Sequence, residues 1–260
     1  MTGKALVTGA GRRLGRAMAL WLGARGWDVA VHYASSAGQA QAVADEIAAH
    51  GQRSAALQAD LLDDAQIAPL VDRAVQVLGG PLTLLINNAS IFEQDSIATA
   101  TRDSWDRHMM SNLRAPFVLT QRFAAQAPRA MADILGEPRA QAQIINIIDQ
   151  KVWRLNPDFM SYTLAKSALW TLTRTAAQGL APDVRVNAIG PGPTLRSIHQ
   201  TAEDFARERA GTLLNRGASE ADITAALGYL LEAPSVTGQM IAVDGGQHLG
   251  SAMPDVLKSA

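Results

Sequence analysis

The sequence predicts an α/β fold of the doubly wound, Rossmann type, with about seven parallel strands and helices on both faces of the sheet. Short apolar runs alternate with longer helical patterns along the whole chain. Strands that are apolar on both faces, each followed by a helix, are typical of a buried parallel sheet. Right-handed crossovers then give a doubly wound sheet. The sequence shows no linker, repeat or low-complexity stretch, which predicts a single domain over residues 1–260.

In the first half of the chain, Val-, Leu- and Ile-containing runs mark the strands, and longer Ala-rich or amphipathic patterns mark the helices. Gly26 and Gly51 close the first two helices, because glycine is favoured just past a helix C-terminus. The predicted strands are 4–8, 28–33, 53–58 and 82–87, and the predicted helices are 14–25, 37–50, 63–77 and 103–127.

The second half continues the alternation up to one irregular segment. The predicted strands are 143–148, 184–188 and 239–243, and the predicted helices are 157–179, 203–213 and 220–231. The glycines and prolines of residues 190–200 preclude a helix there. Because this segment follows the C-terminal end of a strand, where such folds bind ligands, residues 193–202 are a candidate lid whose movement the sequence leaves open.

Composition argues against several classes of protein. The chain has 23 Lys+Arg and 24 Asp+Glu, a formal net charge of −1, so it lacks the basic surplus of a nucleic-acid binder. It contains no Cys, and its five His are scattered, so we expect no metal site. No apolar run approaches the roughly 18 residues of a membrane span, and no signal pattern opens the chain. We therefore expect a cytoplasmic protein with a small-molecule substrate.

A glycine-rich turn follows the first predicted strand and opens directly into a helix. It reads Thr8-Gly9-Ala10-Gly11-Arg12-Arg13-Leu14-Gly15. Glycines let the backbone approach a pyrophosphate, and the helix N-terminus supplies free N–H groups and a positive dipole end. The last glycine stands one residue later than in G-x-G-x-x-G, and a simple loop is the alternative. In this context the turn predicts a dinucleotide site.

The end of the second strand indicates which dinucleotide. It reads His32-Tyr33-Ala34-Ser35-Ser36, without the acid that would bind a ribose 2′-hydroxyl. Arginines offer forked donors suited to a phosphate. We therefore expect NADPH, with its 2′-phosphate held by Arg13, Ser35 and Ser36, and with Arg12 as a further donor. The alternative is that both arginines are solvated surface residues.

Tyr162 and Lys166 stand four residues apart, on one face of a predicted helix. A nearby ammonium lowers the pKa of a phenol from its usual value of about 10, which would bring Tyr162 toward acid chemistry. Alone, this spacing is common by chance, and an amphipathic helix with a snorkelling lysine would explain it.

Together with other motifs, however, the sequence resembles the short-chain dehydrogenase/reductase family. The matching motifs, in family order, are Thr8-Gly9 through Gly15, Asp60-Leu61, Asn87-Asn88-Ala89, Asn112, Tyr162 with Lys166, Pro191-Gly192 and Asp244-Gly245-Gly246. The resemblance implies that Tyr162 donates a proton, Lys166 binds the nicotinamide ribose and Asn112 holds a water in the proton relay. The implied cofactor-binding set is Gly9, Gly11, Arg12, Arg13, Leu14, Gly15, His32, Tyr33, Ser35, Ser36, Asp60, Leu61, Asn87, Ala89, Ser90, Tyr162, Lys166, Pro191, Gly192 and Thr194.

One departure from the family pattern is informative. The family has a serine thirteen residues before the tyrosine, whereas this sequence has Asp149. An ionised carboxylate raises the pKa of a neighbouring phenol, and a protonated one can donate a hydrogen bond. Asp149 therefore suits a substrate that offers N–H donors and a ring nitrogen better than it suits a simple ketone.

The variant resembles the pteridine reductases and bacterial dihydromonapterin reductases, which carry Asp at this step. Residues 87–92 (NNASIF) and 243–249 (VDGGQHL) agree with that subgroup. The resemblance implies that Phe92 sandwiches a pterin against the nicotinamide and that Ser90 hydrogen-bonds it. Packing in the core or under a lid is the alternative for Phe92. Trp153 is a further candidate for the substrate pocket.

These features predict NADPH-dependent reduction of a dihydropterin C=N bond. The alternatives are a reductase of a ketone or other carbonyl and, from another class, a catalytically silent NADP-binding sensor. The long apolar helices 103–127 and 157–179 resemble those that build dimers within tetramers in this family, so we expect a homodimer or homotetramer. A thick monomeric core is the alternative.

Overall fold

The structure is a computed structural model that describes residues 2–250; residue 1 and residues 251–260 of the predicted domain lie outside the described part. Its strands are β1 (Lys4–Val7), β2 (Asp28–Tyr33), β3 (Ser54–Gln58), β4 (Leu84–Asn87), β5 (Met131–Ala132), β6 (Pro138–Arg139), β7 (Ala142–Ile147), β8 (Val184–Pro191) and β9 (Met240–Val243). Its helices are α1 (Arg13–Gly23), α2 (Ala37–Ala49), α3 (Asp64–Ile67), α4 (Leu70–Leu78), α5 (Arg102–Met109), α6 (Ala115–Gln126), α7 (Met160–Leu180), α8 (Ala202–Ala210) and α9 (Glu220–Glu232).

Seven parallel strands form the central sheet, in the order β3-β2-β1-β4-β7-β8-β9. The predicted doubly wound fold is therefore confirmed. The order reverses between β1 and β4, which is where open α/β sheets bind ligands. The turns after β1, β4, β7 and β8 all meet at this edge.

The strands of the central sheet contribute side chains to two hydrophobic cores, because successive side chains of a strand point to opposite faces of the sheet. Within β1, Ala5 and Val7 join the core beneath α1, α2 and α9, whereas Leu6 joins the core beneath α4 and α6. Met18 belongs to the first of these cores and Phe123 to the second. This two-sided burial explains why both faces of the sheet strands carry apolar side chains.

The structure corrects several predicted boundaries. The predicted helix 63–77 is broken into α3 and α4 at Pro69, which has no N–H for an intrahelical bond. The predicted helix 103–127 contains a π-helix, Met110–Arg114, between α5 and α6. Strand β8 continues to Pro191, three residues beyond the predicted end.

The β5–β6 hairpin was missed, since strands of two residues carry no periodic signal. None of the helices within residues 2–250 combines the length and apolar character that a membrane crossing requires.

Candidate active site

A cavity of about 450 Å³ opens at the edge of the sheet where the strand order reverses. Its wall is formed by the turns after β1, β4, β7 and β8 together with α7 and α8. The predicted site residues that line it are Gly9, Arg12, Arg13, Leu14, Gly15, Ala89, Ser90, Phe92, Asp149, Tyr162, Lys166, Pro191, Gly192 and Thr194.

The remaining predicted residues lie outside the cavity wall. They are Gly11, His32, Tyr33, Ser35, Ser36, Asp60, Leu61, Asn87, Asn112 and Trp153. Several of them support the wall from behind. Asn87, for example, is buried at the end of β4 and donates to the Asn146 side chain across the sheet at 2.8 Å.

The glycine-rich turn fits a pyrophosphate in its backbone geometry. Gly9 has a φ of +63°, and a Cβ on Gly15 would lie 2.3 Å from the Gly9 carbonyl oxygen. Helix α1 begins at Arg13, and within the described residues its N-cap, Arg12, makes no side-chain cap hydrogen bond. The N–H groups of the first turn of α1 therefore face the cavity edge with their dipole end uncompensated, as an anion site requires.

The ring of His32 supports this turn from below, and the predicted contact of this residue with the cofactor stays a prediction that does not involve the ring nitrogens. Its side chain is 1% exposed, its Nδ1 accepts a hydrogen bond from Gly9 N–H at 3.0 Å, and its Nε2 lies 3.0 Å from the Ala59 carbonyl oxygen. This pairing requires the neutral tautomer with the proton on Nε2. Burial lowers the pKa of His32 to about 4, which keeps the ring neutral.

The predicted phosphate-binding residues are divided between two places. Arg13 extends to the segment after β8, where it donates to the carbonyl oxygens of Leu195 and Arg196 at 3.0 and 2.8 Å. Arg12 and Ser35 are exposed near the turn. Arg13 thus ties the candidate lid to the glycine-rich turn in this structure, an arrangement that the sequence did not predict.

Tyr162, Asp149 and Lys166 converge at the cavity. The Tyr162 hydroxyl donates to Asp149 Oδ2 at 2.8 Å, and Lys166 Nζ donates to the Ile147 carbonyl oxygen at 2.8 Å. The Lys166 ammonium lies 5.7 Å from the centre of the Tyr162 ring. Asp149 also accepts from the Lys151 N–H at 2.8 Å, which fixes the carboxylate beside the phenol.

The electrostatics of this cluster correct the expected effect of the lysine. Burial, then the Asp149 charge, then the hydrogen bond to Asp149 raise the pKa of Tyr162 well above 10. Burial lowers the pKa of Lys166 to about 8, and the Asp149 charge opposes that change. The nearby carboxylate and the loss of water therefore outweigh the ammonium, so the phenol keeps its proton at neutral pH.

The side chain of Asn112 is engaged by backbone groups, and its predicted part in holding a water of the proton relay stays a prediction. It lies in the π-helix, where its Nδ2 donates to the Ile91 carbonyl oxygen at 2.8 Å and its Oδ1 accepts from the Ile91 N–H at 2.9 Å. Because Ile91 engages both ends of the amide, the side chain positions the 88–92 turn.

Phe92 shows the aromatic packing that was the alternative for this residue, while its contact with a pterin stays a prediction. It lines the cavity, and its ring stacks on Phe159 with centroids 4.1 Å apart and an interplanar angle of 6°. The edge of Tyr162 lies against it at 4.8 Å. Trp153 instead lies beside His248, with ring centroids 5.1 Å apart, and is 43% exposed.

Sequence reasoning missed a polar group on the far wall of the cavity. Glu208 lines it from α8 and accepts hydrogen bonds from the side chains of Gln200 and Gln247. Helix α8 was predicted, but its polar sequence contains no motif that marks one glutamate among several exposed charges.

A second missed group is a buried network behind the Tyr162 helix. His108 Nδ1 lies 2.6 Å from the Ser161 hydroxyl, which in turn donates to Asp95. Asp95 also accepts from the Ser161 N–H at 3.0 Å. The carboxylate thereby caps the N-terminus of α7 and fixes the start of the helix that carries Tyr162.

Comparisons with known proteins agree with this geometry. A family model described as enoyl-(acyl carrier protein) reductase matches residues 9–248. The chain is 33% identical over 254 residues to the 3-oxoacyl-[acyl-carrier-protein] reductase FabG of Staphylococcus aureus, covering 96% of this chain and 99% of that protein.

Among solved structures, the chain is similar to FolM alternative dihydrofolate reductase 1 from Brucella canis, which is complexed with NADP. The TM-score is 0.89 at 41% identity, covering 98% of this chain and 97% of that one. It is also similar to the landomycin C-6 ketoreductase LanV with bound NADP and rabelomycin. That match has a TM-score of 0.83 at 29% identity, covering 96% of this chain and 99% of that one.

Proposed function

Because the chain belongs to the short-chain dehydrogenase/reductase family, we propose that it is an NADPH-dependent reductase of a dihydropterin, acting on a C=N bond of the ring. Family membership and the NADP-bound relatives support the coarser part of this statement, an NADP-dependent oxidoreductase. The glycine-rich turn and the α1 N-terminus are the residues of this chain that fit the diphosphate of such a cofactor.

The observation that carries the pterin assignment is the hydrogen bond between Tyr162 and Asp149 at the cavity wall. A carboxylate accepts hydrogen bonds, so it complements the N–H donors of a dihydropterin. A ketone carbonyl has only acceptors and would lie against that carboxylate without a matching donor. The flat Phe92 ring beside the same pair suits stacking by a heteroaromatic substrate.

The residues of the cavity supply binding and proton transfer. When bound, NADPH supplies the hydride to carbon. Tyr162 holds its proton until a ring nitrogen comes within reach and then donates it, so one C–H and one N–H bond replace the π bond of C=N. Asp149 orients the phenol, and the Lys166 ammonium stabilises the phenolate that remains.

Carbonyl reduction is the second candidate, and the similarity to FabG and to LanV favours it. By their names, these relatives are a 3-oxoacyl-[acyl-carrier-protein] reductase and a C-6 ketoreductase. A catalytically silent NADP-binding sensor is the third candidate function. Turnover of any substrate would exclude it.

The test is NADPH oxidation with dihydrobiopterin, dihydromonapterin and a reactive diketone. We expect turnover of the dihydropterins, loss of about 100-fold or more in kcat for Tyr162→Phe, and no loss for the matched control Tyr229→Phe, an exposed tyrosine of α9 that lies outside the cavity wall. Asp149→Ser should reduce pterin turnover more than diketone turnover.

Three results would contradict the proposal. Full pterin activity in Asp149→Ala would remove the role of the carboxylate. Turnover of the diketone without any turnover of dihydropterins would favour carbonyl reduction. No turnover of any substrate, with tight NADPH binding, would favour the sensor.

A further inference from the structure

A second carboxylate lies in the cavity wall, away from Asp149. Glu208 is half-buried on α8, with Oε1 accepting from Gln247 Nε2 at 3.0 Å and Oε2 accepting from Gln200 Nε2 at 2.7 Å. Gln247 is only 4% exposed and Gln200 only 9%. Two buried amides thus hold the carboxylate in one orientation against the cavity.

The charge of Glu208 is not neutralised by its neighbours on α8. Arg207 pairs with Asp204, and Arg209 donates to backbone carbonyls of residues 193, 217 and 218. In the described part of the chain, Glu208 itself forms no ion pair within 4.0 Å. Each of its oxygens has accepted one hydrogen bond and retains capacity for another.

The same wall contains further acceptors without donors. Because Gln247 uses its Nε2 on Glu208, the orientation of its amide is fixed, and its buried Oε1 has no hydrogen-bond partner among residues 2–250. Gln150 also lines the cavity, and its buried Oε1 likewise has no hydrogen-bond partner among residues 2–250. Because both oxygens are buried, the accessible acceptor that this wall offers to a ligand is the Glu208 carboxylate.

We propose that Glu208 is a specificity-determining residue, which binds hydroxyl or amino donors on the substituent of the substrate ring and disfavours substrates with an anionic substituent. The inference rests on the proposed function for its choice of ring. Glu208 accepts from the neutral donors through its free lone pairs, and its charge, which forms no ion pair among the described residues, repels a carboxylate brought next to it.

The experiment compares three dihydropterins that share the ring but differ in the substituent: a trihydroxypropyl group (dihydromonapterin), a methyl group (6-methyldihydropterin) and an aminobenzoylglutamate (dihydrofolate). The variants are the wild type, Glu208→Gln and the matched control Glu203→Gln, an exposed glutamate on the same helix. For each, kcat/KM is measured, together with the dissociation constant in the presence of NADP+.

We expect Glu208→Gln to lower kcat/KM for the trihydroxypropyl substrate by about tenfold, the value of one hydrogen bond to a charged acceptor. The methyl substrate should be unaffected, and dihydrofolate should improve severalfold. Glu203→Gln should change none of them.

A purely structural role for Glu208 would move all three substrates together, and that result would overturn the inference while leaving the proposed function intact. Absence of turnover in the wild type would overturn the proposed function, and the dissociation constants would then decide the inference alone. If Glu208→Gln bound each of the three pterins as tightly as the wild type does, or if neither protein bound them, the inference about Glu208 would be overturned.

Discussion

The neutral, buried His32 beneath the glycine-rich turn makes the stability of the protein depend on pH. Its pKa is lowered from 6.5 to about 4, mainly by burial; the Ala59 hydrogen bond and the Asp60 charge oppose the change, and the Arg73 charge adds to it. Between these two values the unfolded chain binds more protons than the folded one. The contribution of His32 to the free energy of unfolding therefore rises with pH through this window and is lost as the pH falls from 6.5 to 4.

The two pKa values set the size of the effect. Integrating proton binding between them gives a loss of about 2 kcal/mol at about pH 5, relative to neutral pH. The loss approaches about 3 kcal/mol below pH 4. Protonation would also turn the Nδ1 acceptor into a donor that faces the Gly9 N–H, so the turn would lose its support.

The assay is urea denaturation of the wild type and of His32→Gln, at neutral pH and at about pH 5. Glutamine provides one acceptor and one donor but does not titrate, so the variant should lose about 2 kcal/mol less than the wild type between the two pH values. His108, whose pKa is also lowered by burial, is present in both proteins and cancels in the comparison. Equal losses in the two proteins would refute the reasoning.

Three other substitutions test the supports of the cavity. The Cβ introduced by Gly15→Ala would lie 2.3 Å from the Gly9 carbonyl oxygen. A fluorescence titration should therefore show NADPH binding weakened by about tenfold or more, with the circular dichroism preserved. Unchanged affinity would contradict the fit of the turn to a diphosphate. Asp95→Ala removes a buried acceptor of three hydrogen bonds from two serines. In urea denaturation it should lower the free energy of unfolding by about 2–3 kcal/mol. A change within about 0.5 kcal/mol, the size of a surface effect, would show that the network is dispensable. Asp149→Asn removes the charge that raises the pKa of Tyr162, so near-ultraviolet absorbance should detect tyrosinate at lower pH than in the wild type; an unmoved titration would mean that burial alone sets this pKa.

The fold could be predicted because the alternation of apolar strands and helices is a local property of the chain. Strand β2 was predicted at both ends, and the ends of the other sheet strands were displaced by three residues at most. The family and the NADP-type cofactor followed from short motifs whose spacing is fixed by backbone turns, and the comparisons confirm the family. The oligomeric state and the cytoplasmic location stay predictions.

What the sequence did not reveal depends on neighbours that are distant along the chain. The pKa of Tyr162 is governed by burial and by Asp149 rather than by the lysine on its own helix. The motifs gave no sign that the side chains of His32 and Asn112 are hydrogen-bonded to backbone groups. Glu208 acquires its orientation only from amides 8 and 39 residues away.

The π-helix between α5 and α6 makes one stretch of the chain intolerant of a change in length. A π-helix corresponds to a single extra residue within an α-helix, and each residue of an α-helix advances about 100° around its axis. Excising one residue from Met110–Arg114 would close the widened turn into a regular α-helix, so the residues of the π-helix would shift around the axis while α5 and α6 kept nearly the same relative rotation. The Asn112 amide would then move away from Ile91. The turn that carries Ser90 and Phe92 would lose both hydrogen bonds that hold it, although the helix itself would be more regular.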